Sequence, residues 1–335
     1  MKLIIPIALL LVVACAAETP PGYFQESYTH NAMATQFEIV MYAERSKMTT
    51  SHLDRVAEEA FTVIDSLEAR ISTWRQSSQT SRVNREAADR PIRVAPDIFS
   101  VIQNSQRFYR ETGGAFDITV GPLVELWRAC KGEKRLPSAA ELDAAKALTG
   151  FDKVTLDPAA DTVFFTKKGM RMDFGGIGKG VALDEVARVL RGYGIQTALL
   201  SGGASSILAM GAPPGQDAWK VRVQHPLKPD TDIATVQLRD EAYSSSGHIQ
   251  DMVEIEGKLY GHIVDPATGM LVQGMAIAIA IAPTGAETEA LSKAFFIKGE
   301  EGTRRYCQEH PGVRAILIPK PESGELTPIQ IGFPE

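Results

Sequence analysis

A glycine-rich turn at residues 172–180 is the stretch of this chain best suited to hold an anion. It reads Met-Asp-Phe-Gly-Gly-Ile-Gly-Lys-Gly, follows a β-like run and precedes a helical pattern at 181–190. Such a turn presents backbone N–H groups and the positive end of a helix dipole to an anion, and Lys179 adds a cation. It lacks the Ser or Thr of Walker A and the spacing G-x-G-x-x-G. From these residues alone, a tight structural turn and an anion site both remain open.

Three more polar loops carry glycine, at residues 115–117, 201–203 and 262–269. A late helical stretch adds acidic side chains at Glu287 and Glu289. Each loop alone could be a structural turn, but together they predict a large site for a phosphate-containing ligand. Trp74, in the polar loop 72–78, is either a structural plug or an indole that stacks on a flat ligand.

The order of apolar patterns indicates the fold class. Alternating or continuous apolar runs predict strands, and apolar residues spaced three and four apart predict helices. We predict strands at 36–42, 154–166 (two short strands), 197–200, 206–211, 219–223, 234–238, 275–282 and 314–318, and helices at 51–71, 98–109, 137–148, 181–190, 287–297 and 303–309. Residues 115–122 are expected to form a short extended piece that ends in a turn. Because most neighbouring strands are joined by short turns, we predict an α+β fold with mixed, largely antiparallel sheets and flanking helices.

The N-terminus has the pattern of a signal peptide. One lysine precedes an apolar run that is too short to span a bilayer. The run ends in Leu-Val-Val-Ala-Cys, which resembles a bacterial lipobox, so we predict that Cys15 is lipidated; cleavage after Ala17 is the alternative. The predicted divisions are a signal peptide at 1–14, a lipidated tether at 15–28, a domain at 29–320 and a tail at 321–335. We expect the chain to be anchored in a lipid bilayer through Cys15, on the periplasmic side of a bacterial membrane, with the outer membrane favoured.

The net charge and the cysteines bear on possible partners and on disulfide formation. The net charge is −6, which gives no sign of a nucleic-acid partner, and we expect none. Cys130 and Cys307 remain after Cys15; they either pair in an oxidising compartment or stay as buried thiols. Their spacing does not suggest a metal site.

Several motifs in a fixed order resemble the ApbE family of bacterial flavin transferases, once called thiamine-biosynthesis lipoproteins. The resemblance runs from about residue 33 to 299. It is carried by Met-Ala-Thr at 33–35, Ser-Thr-Trp at 72–74 with Ser-Arg-Val-Asn at 81–84, Gly-Ala-Phe-Asp-Ile-Thr-Val-Gly-Pro-Leu-Val at 114–124, Asp-Phe-Gly-Gly-Ile-Gly-Lys-Gly at 173–180, Gly-Gly at 202–203, Ser-Ser-Gly at 245–247 and His-Ile-Val-Asp-Pro-Ala-Thr-Gly at 262–269.

The resemblance implies a periplasmic enzyme that binds FAD and Mg²⁺ in a cleft between two lobes. It would transfer FMN to a threonine hydroxyl of an acceptor flavoprotein subunit and release AMP. Lys179 and His262 are the catalytic residues implied, with His262 as the base; the alternative is a structural histidine. The residues implied to contact FAD are Met33, Trp74 (usually tyrosine in the family), Ala115, Phe116, Asp117, Asp173, Lys179 and Ile263.

The implied metal site departs from the family pattern. The resemblance assigns to Mg²⁺ a backbone carbonyl, here that of Gly176, and an Asp and a Thr four residues apart, where this chain has Glu289 and Lys293. A protonated lysine offers no lone pair to a metal. Either Lys293 takes the place of the ion against the pyrophosphate, or it pairs with Glu289 along the helix. The alternative function is a transferase-deficient FAD-binding lipoprotein, acting as a carrier or as an FAD pyrophosphate hydrolase.

Overall fold

The computed structural model describes residues 19–225, 228–247, 252–320 and 325–334. The helices are α1 (Thr50–Ile71), α2 (Gln79–Glu86), α3 (Pro96–Glu111), α4 (Gly121–Gly132), α5 (Ala139–Ala147), α6 (Gly178–Gly192) and α7 (Gly285–Glu309), with a 3-10 turn at Phe151–Lys153. The strands are β1 (Tyr23–Ala32), β2 (Thr35–Glu44), β3 (Ile92–Arg93), β4 (Val154–Asp157), β5 (Thr162–Phe165), β6 (Thr197–Gly202), β7 (Ser206–Met210), β8 (Trp219–His225), β9 (Lys228–Leu238), β10 (Glu241–Gly247), β11 (Val253–Ile255), β12 (Lys258–Tyr260), β13 (Met275–Ala282), β14 (Arg314–Pro319) and β15 (Ile329–Ile331).

One large antiparallel sheet supports the rest of the chain. Its strand order is β1-β2-β6-β7-β10-β13-β14-β15, and smaller sheets pair β3-β5-β4, β8-β9 and β11-β12. Every strand pairing in the described residues is antiparallel, apart from an isolated parallel bridge between Val120 and Arg171. The predicted α+β class with largely antiparallel sheets is confirmed. Strand β13 is buried along its whole length, as its apolar sequence indicates.

The two faces of the large sheet bury different partners. One face packs against α1 and α6, which contribute apolar residues such as Leu53, Ile64 and Val186 to the main core. The other face is covered by the β8–β9 hairpin, whose Trp219 and Val236 pack against the sheet. Helix α7 contacts β10 and β13, which brings the start of α7 next to the start of α6.

The sheet extends beyond the predicted limits of the domain. Strand β1 begins inside the predicted tether and pairs with β2 along its whole length, from Tyr23 opposite Glu44 to Ala32 opposite Thr35. Burial alternates along the strand, with Phe24 and Ala32 buried, but Glu26 and His30 lie on the same inward side, so the sequence lacks the apolar alternation that marks a strand. At the other end, β15 lies within the predicted tail and pairs with β14. The predicted signal peptide and Cys15 lie outside the described residues.

Helix α4 corrects the sequence-based prediction for residues 115–122. The extended piece was expected to end in a turn at Gly121 and Pro122, but a helix begins there instead. Proline is well tolerated in the first turn of a helix, because the N–H that it lacks would have no partner there. The helix buries Leu123, Trp127 and Cys130, spaced four and three residues apart.

Helix α7 contains both helices predicted at 287–297 and 303–309, on either side of a kink. It is continuous except at Gly299, whose φ of 64° and ψ of −161° are not helical. The described cysteines, Cys130 in α4 and Cys307 in α7, are both buried and free, in different hydrophobic clusters. Within the described chain, no helix has the length and apolar composition needed to cross a membrane.

Candidate functional site

A cleft of about 350 Å³ opens beside the glycine-rich turn. Its walls come from the β1–β2 turn, the end of α1 with the loop after it, α4 and the start of α6. The lining residues are Met33, Ala34, Glu68, Ile71, Ser72, Thr73, Trp74, Arg128, Asp173, Phe174, Gly175, Gly178 and Lys179. The cleft therefore combines an aromatic and apolar rim with cations and exposed backbone.

The β1–β2 turn at the rim has an unusual backbone. Met33 and Ala34 have φ values of 50° and 57°, in the left-handed region that residues other than glycine rarely adopt. Two consecutive residues of this kind match the two-residue type I′ turn, whose twist suits an antiparallel hairpin. The turn is thus held in a fixed shape at the cleft, although neither residue is a glycine.

Side-chain and backbone hydrogen bonds fix the glycine-rich turn. The Asn84 side chain accepts from the amide of Met172 at 2.7 Å and donates to its carbonyl at 2.9 Å. The amide of Asp173 donates to the carbonyl of Ile118 at 2.7 Å, and the Asp173 carboxylate accepts from the amide of Gly175 at 2.7 Å. Helix α6 then begins without a capping side-chain hydrogen bond from the described residues. Its positive end is left available to a ligand in the cleft.

Helix α7 is held against the start of α6 by close backbone packing. A Cβ on Gly285 would lie 2.6 Å from the carbonyl oxygen of Gly180, and one on Gly180 would overlap the Gly285 carbonyl group. The Asp184 carboxylate accepts from the amides of Gly285 and Ala286 at 2.7 and 2.9 Å. Burial raises the pKa of Asp184 to about 6 although these two amides lower it. This contact brings Glu289, one turn into α7, to face Lys179.

Glu289 lies between two lysines and is 1% exposed. The Lys179 Nζ atom is 2.9 Å from Oε1, and the Lys293 Nζ atom is 3.5 Å from Oε2. Lys293 also donates to the backbone carbonyl of Glu289 at 3.2 Å. The hydroxyl of Ser206, on β7, donates to Oε1, whereas Oε2 accepts no hydrogen bond from the described residues. Three elements thus converge on one carboxylate.

The charges of this cluster are mutually dependent. Burial raises the pKa of Glu289, but Lys179 and Lys293 lower it more strongly, to about 2. The carboxylate is therefore ionised at neutral pH. The pKa of Lys293 is lowered by burial and by Lys179, against the opposite pull of Glu289. With both lysines protonated, the three side chains carry a net charge of +1.

The predicted metal position does not fit Mg²⁺. Gly176, Glu289 and Lys293 do meet, because a Cβ on Gly176 would lie 3.3 Å from Cδ of Lys293. Mg²⁺ requires oxygen ligands at about 2.0–2.1 Å in octahedral geometry. Here ammonium groups lie against both Glu289 oxygens. The described residues also contain no group of three or more His, Cys, Asp or Glu side chains that could hold a metal.

The structure places the residues implied to contact FAD, apart from Ile263, in two layers. Met33, Trp74, Asp173 and Lys179 line the cleft. Ala115, Phe116 and Asp117 are 6%, 3% and 5% exposed and lie behind the turn rather than among the lining residues. A ring atom of Phe116 would be 3.5 Å from a Cβ on Gly176, so this segment supports the turn from within.

Asp117 is held by its own loop. Its Oδ1 atom accepts from the amide and the hydroxyl of Thr119, both at 2.7 Å, whereas Oδ2 is buried without a partner among the described residues. Burial raises the pKa of Asp117 from 3.8 to about 6, although the hydrogen bonds from Thr119 lower it.

His262 and Ile263 are not among the described lining residues of the cleft. His262 is exposed, and Ile263 is buried in the cluster between β13 and α7. Their loop is attached to α4, since the Trp127 indole N–H donates to the carbonyl of Gly269 at 2.7 Å. The residue after Trp127 is Arg128, which lines the cleft. Their implied roles therefore stay predictions.

Sequence reasoning missed two residues of the site. The guanidinium of Arg128 lies 4.6 Å from the ring centre of Trp74, which is 77% exposed. Proline at the start of α4 and the spacing of its buried residues could have revealed the helix that carries Arg128. Ser206, the partner of Glu289, has no such signal, because its contact joins residues 83 positions apart.

Comparisons with known proteins agree with one another. The sequence model of the ApbE family matches residues 33–317. A protein of Haemophilus influenzae named FAD:protein FMN transferase is 27% identical over 98% of this chain and 96% of its own. One of the same name from Salmonella typhimurium is 30% identical over 79% of this chain and 77% of its own. The solved ApbE protein of Thermotoga maritima superposes with a TM-score of 0.80 at 26% identity, covering 90% of this chain and 96% of that one.

Proposed function

The chain belongs to the ApbE family, and from that premise we propose that it is an FAD:protein FMN transferase. The observation that carries the proposal is the position of Lys179. It stands at the positive end of α6, in a glycine-rich turn that lines a cleft with an aromatic rim. Such a site suits a ligand with flat rings and a pyrophosphate.

The reaction exchanges one phosphoester for another. The hydroxyl oxygen of an acceptor threonine attacks the FMN-side phosphorus of FAD, and the bond from this phosphorus to the bridging oxygen breaks. AMP leaves with that oxygen, and the proton of the threonine passes to a base. Negative charge builds on the phosphoryl oxygens and on the leaving AMP, so fixed N–H groups and cations stabilise the transition state.

Each wall of the cleft has a part in this proposal. The backbone of Gly175 and Gly178 lets the pyrophosphate approach without side-chain obstruction, and Lys179 pairs with its charge. Trp74 and Met33 at the rim pack against the flat rings. Arg128, whose guanidinium stacks on Trp74, places a positive charge at the same rim of the cleft. No step passes through a metal ion.

His262 is proposed as the base that takes the threonine proton. It is exposed, on a loop that is hydrogen-bonded to α4, so an acceptor threonine can reach it from solvent. A histidine is suited to this role because its ordinary pKa is close to neutral.

Mass spectrometry of an acceptor tests the function directly. The full chain is incubated with FAD and the unmodified acceptor domain of a flavoprotein subunit that carries a target threonine, with a Thr→Val acceptor as the matched control. We expect the mass of FMN on the threonine acceptor, none on the control, and one AMP released for each FMN transferred. AMP released without an acceptor would indicate a hydrolase. Bound FAD without either product would indicate the carrier, which the relatives' names do not favour.

The lipid anchor and the acceptor's location complete the proposal. The lipobox-like sequence before Cys15 supports attachment to a bilayer on the periplasmic side, preferably that of the outer membrane, next to a periplasmic or membrane flavoprotein subunit. Metabolic labelling with an alkyne fatty acid tests this. Labelled wild type together with unlabelled Cys15→Ser is the expected result, and equal labelling of both would contradict it.

A further inference from the structure

We propose that Lys179, Glu289 and Lys293 form a metal-free charge centre for the pyrophosphate of FAD. The two ammonium groups contact the phosphate oxygens, and Glu289 is a positioning residue that holds them side by side. Lys293 thereby becomes a third catalytic residue beside Lys179 and His262. The inference rests on the proposed function for the identity of the ligand.

The burial of Glu289 indicates that it holds the two lysines and does not itself contact the phosphate. Its carboxylate is 1% exposed, so a ligand in the cleft cannot reach it without displacing its neighbours. Lys179 and Ser206 lie on one oxygen and Lys293 on the other. A carboxylate whose two oxygens face protonated amines already has the cations that its burial requires.

Lys179 and Lys293 are partly exposed and have hydrogen-bond donors left for a second anion. Their side chains are 22% and 24% exposed, whereas the carboxylate between them is closed to solvent. An ammonium group has three donors, and Glu289 accounts for one contact of Lys179 and two of Lys293. The remaining donors and the net charge of +1 favour an anion at the open side of the pair.

The cluster lies against the backbone that would receive the phosphates. Lys179 belongs to the first turn of α6, and the stem of Lys293 packs on Gly176, as the 3.3 Å distance from a Cβ placed on Gly176 shows. Lys179 therefore lines the cleft at the glycine-rich turn, and the stem of Lys293 lies against Gly176, next to the lining residues. An anion at the N-terminus of α6 would meet the helix dipole and two lysines together.

A divalent cation bound to Glu289 would be repelled by the ammonium group of Lys293. An ion bound to Oε2 of Glu289 would sit at about 2 Å from that oxygen, and the Lys293 Nζ atom is 3.5 Å from the same oxygen. Lys293 would have to move away or lose its proton before such an ion could bind. When protonated, Lys293 thus supplies positive charge at the position where a metal ion would supply it on binding.

FAD binding to the full-length protein, with and without a chelator, is the first test. Since a site without a metal loses nothing to EDTA, the FAD dissociation constant should change by less than about twofold between EDTA and millimolar MgCl₂. Loss of FAD binding in EDTA, restored by MgCl₂, would overturn the proposal. This test needs no variant.

Two variants sharpen the result. Lys293→Met keeps the length of the side chain without its charge, and we expect FAD binding to weaken roughly 10- to 100-fold, as for loss of a charge-assisted contact. Lys298→Met, at an exposed lysine on the same helix, is the matched control and should bind FAD as wild type does. Unchanged FAD binding in folded Lys293→Met, verified by its thermal unfolding, would refute the role of Lys293.

The double variant Glu289→Asp with Lys293→Thr replaces the lysine with oxygen ligands. We expect its FAD binding to become dependent on MgCl₂, and equally weak binding with and without MgCl₂ would count against the proposal.

Transfer assays distinguish failure of the proposed function from failure of the charge centre. FAD binding in EDTA without FMN on any acceptor rejects the proposed function and leaves the charge centre standing. FMN transfer that stops in EDTA rejects the charge centre and leaves the function standing.

Discussion

Gly180 and Gly285 meet backbone to backbone at the starts of α6 and α7. A Cβ on Gly285 would lie 2.6 Å from the Gly180 carbonyl oxygen, and the amide of Gly285 is held by the Asp184 carboxylate at 2.7 Å. This contact sets the position of Glu289 relative to Lys179, since each lies within the first turns of its helix. The electrostatics of the cleft therefore depend on two residues that have no side chain.

The first prediction concerns this contact. Gly180→Ala should lower the free energy of unfolding by about 2–3 kcal/mol, because the new methyl group overlaps the Gly285 carbonyl. FAD affinity should fall with it, as α7 moves away from α6. Gly192→Ala is the control, because a Cβ there would meet no described atom within 4 Å beyond its chain neighbours and the backbone of its own helix. It should be neutral or stabilising by up to about 1 kcal/mol. Urea unfolding of both variants decides the matter, and equal stabilities would contradict the prediction.

The second prediction concerns the exposed indole at the rim. Trp74→Ala should weaken FAD binding by about 10-fold, because a stacking surface is lost. Its thermal unfolding should not change, since the side chain is 77% exposed. Trp74→Tyr should restore most of the affinity, and Arg75→Ala, at the exposed neighbouring residue, should leave it unchanged. A Trp74→Ala protein that binds FAD normally would place the flat rings elsewhere.

The third prediction separates the two roles open to Glu289. Glu289→Gln removes the anion between two lysines, so the ligand-free protein should lose about 3 kcal/mol of stability. FAD binding should weaken as well, by the same factor in EDTA and in MgCl₂, because the two ammonium groups lose the carboxylate that holds them side by side. Calorimetric unfolding with and without FAD measures both quantities. FAD binding that weakened only in MgCl₂ would mean that Glu289 holds a cation for the ligand rather than the two lysines.

The fourth prediction follows from the raised pKa of Asp117. The pKa rises from 3.8 in the unfolded chain to about 6 in the fold, so the folded state favours the protonated acid. The associated stability is fully present below pH 3.8 and is lost as the pH rises through 6, by up to about 3 kcal/mol. Asp117→Asn should lack this dependence. Urea midpoints of the ligand-free proteins between pH 4 and 7 should therefore fall for wild type relative to the variant, and parallel curves would contradict the assignment.

The fifth prediction concerns the proposed base. His262→Asn should lower the rate of FMN transfer roughly 10²- to 10⁴-fold, as expected for loss of a general base. FAD affinity and thermal unfolding should stay close to those of wild type. A structural histidine would give the opposite result, a lower unfolding temperature with little loss of rate in the protein that remains folded.

Local patterns carried the part of the site that the sequence could predict. The glycine-rich turn and α6 were recognisable because glycines, lysine and the apolar spacing lie within 20 consecutive residues. Pairing of Glu289 with Lys293 along one helix was one of the two alternatives that the sequence left open, and the structure contains this ion pair. The ion pair of Lys179 with Glu289 could not be predicted from the sequence, because it depends on how α6 packs against α7.

Strand β1 and helix α4 were not predicted from the sequence. Strand β1 packs Phe24, Tyr28 and Ala32 on the main core, but Glu26 and His30 interrupt that side of the strand, so the sequence shows no apolar alternation. Helix α4 begins with glycine and proline, which also mark turns, and the tertiary contacts of Trp127 and Cys130 decide in favour of the helix.

Strand β1 also determines how the molecule responds to tension. It forms one edge of the sheet and pairs with β2 through all 10 of its residues. A pull on the residues before Tyr23, directed along the strand, loads these hydrogen bonds together in shear, whereas a pull across the strand would unzip them one after another. The N-terminal edge of this fold is therefore suited to resist a force applied along β1.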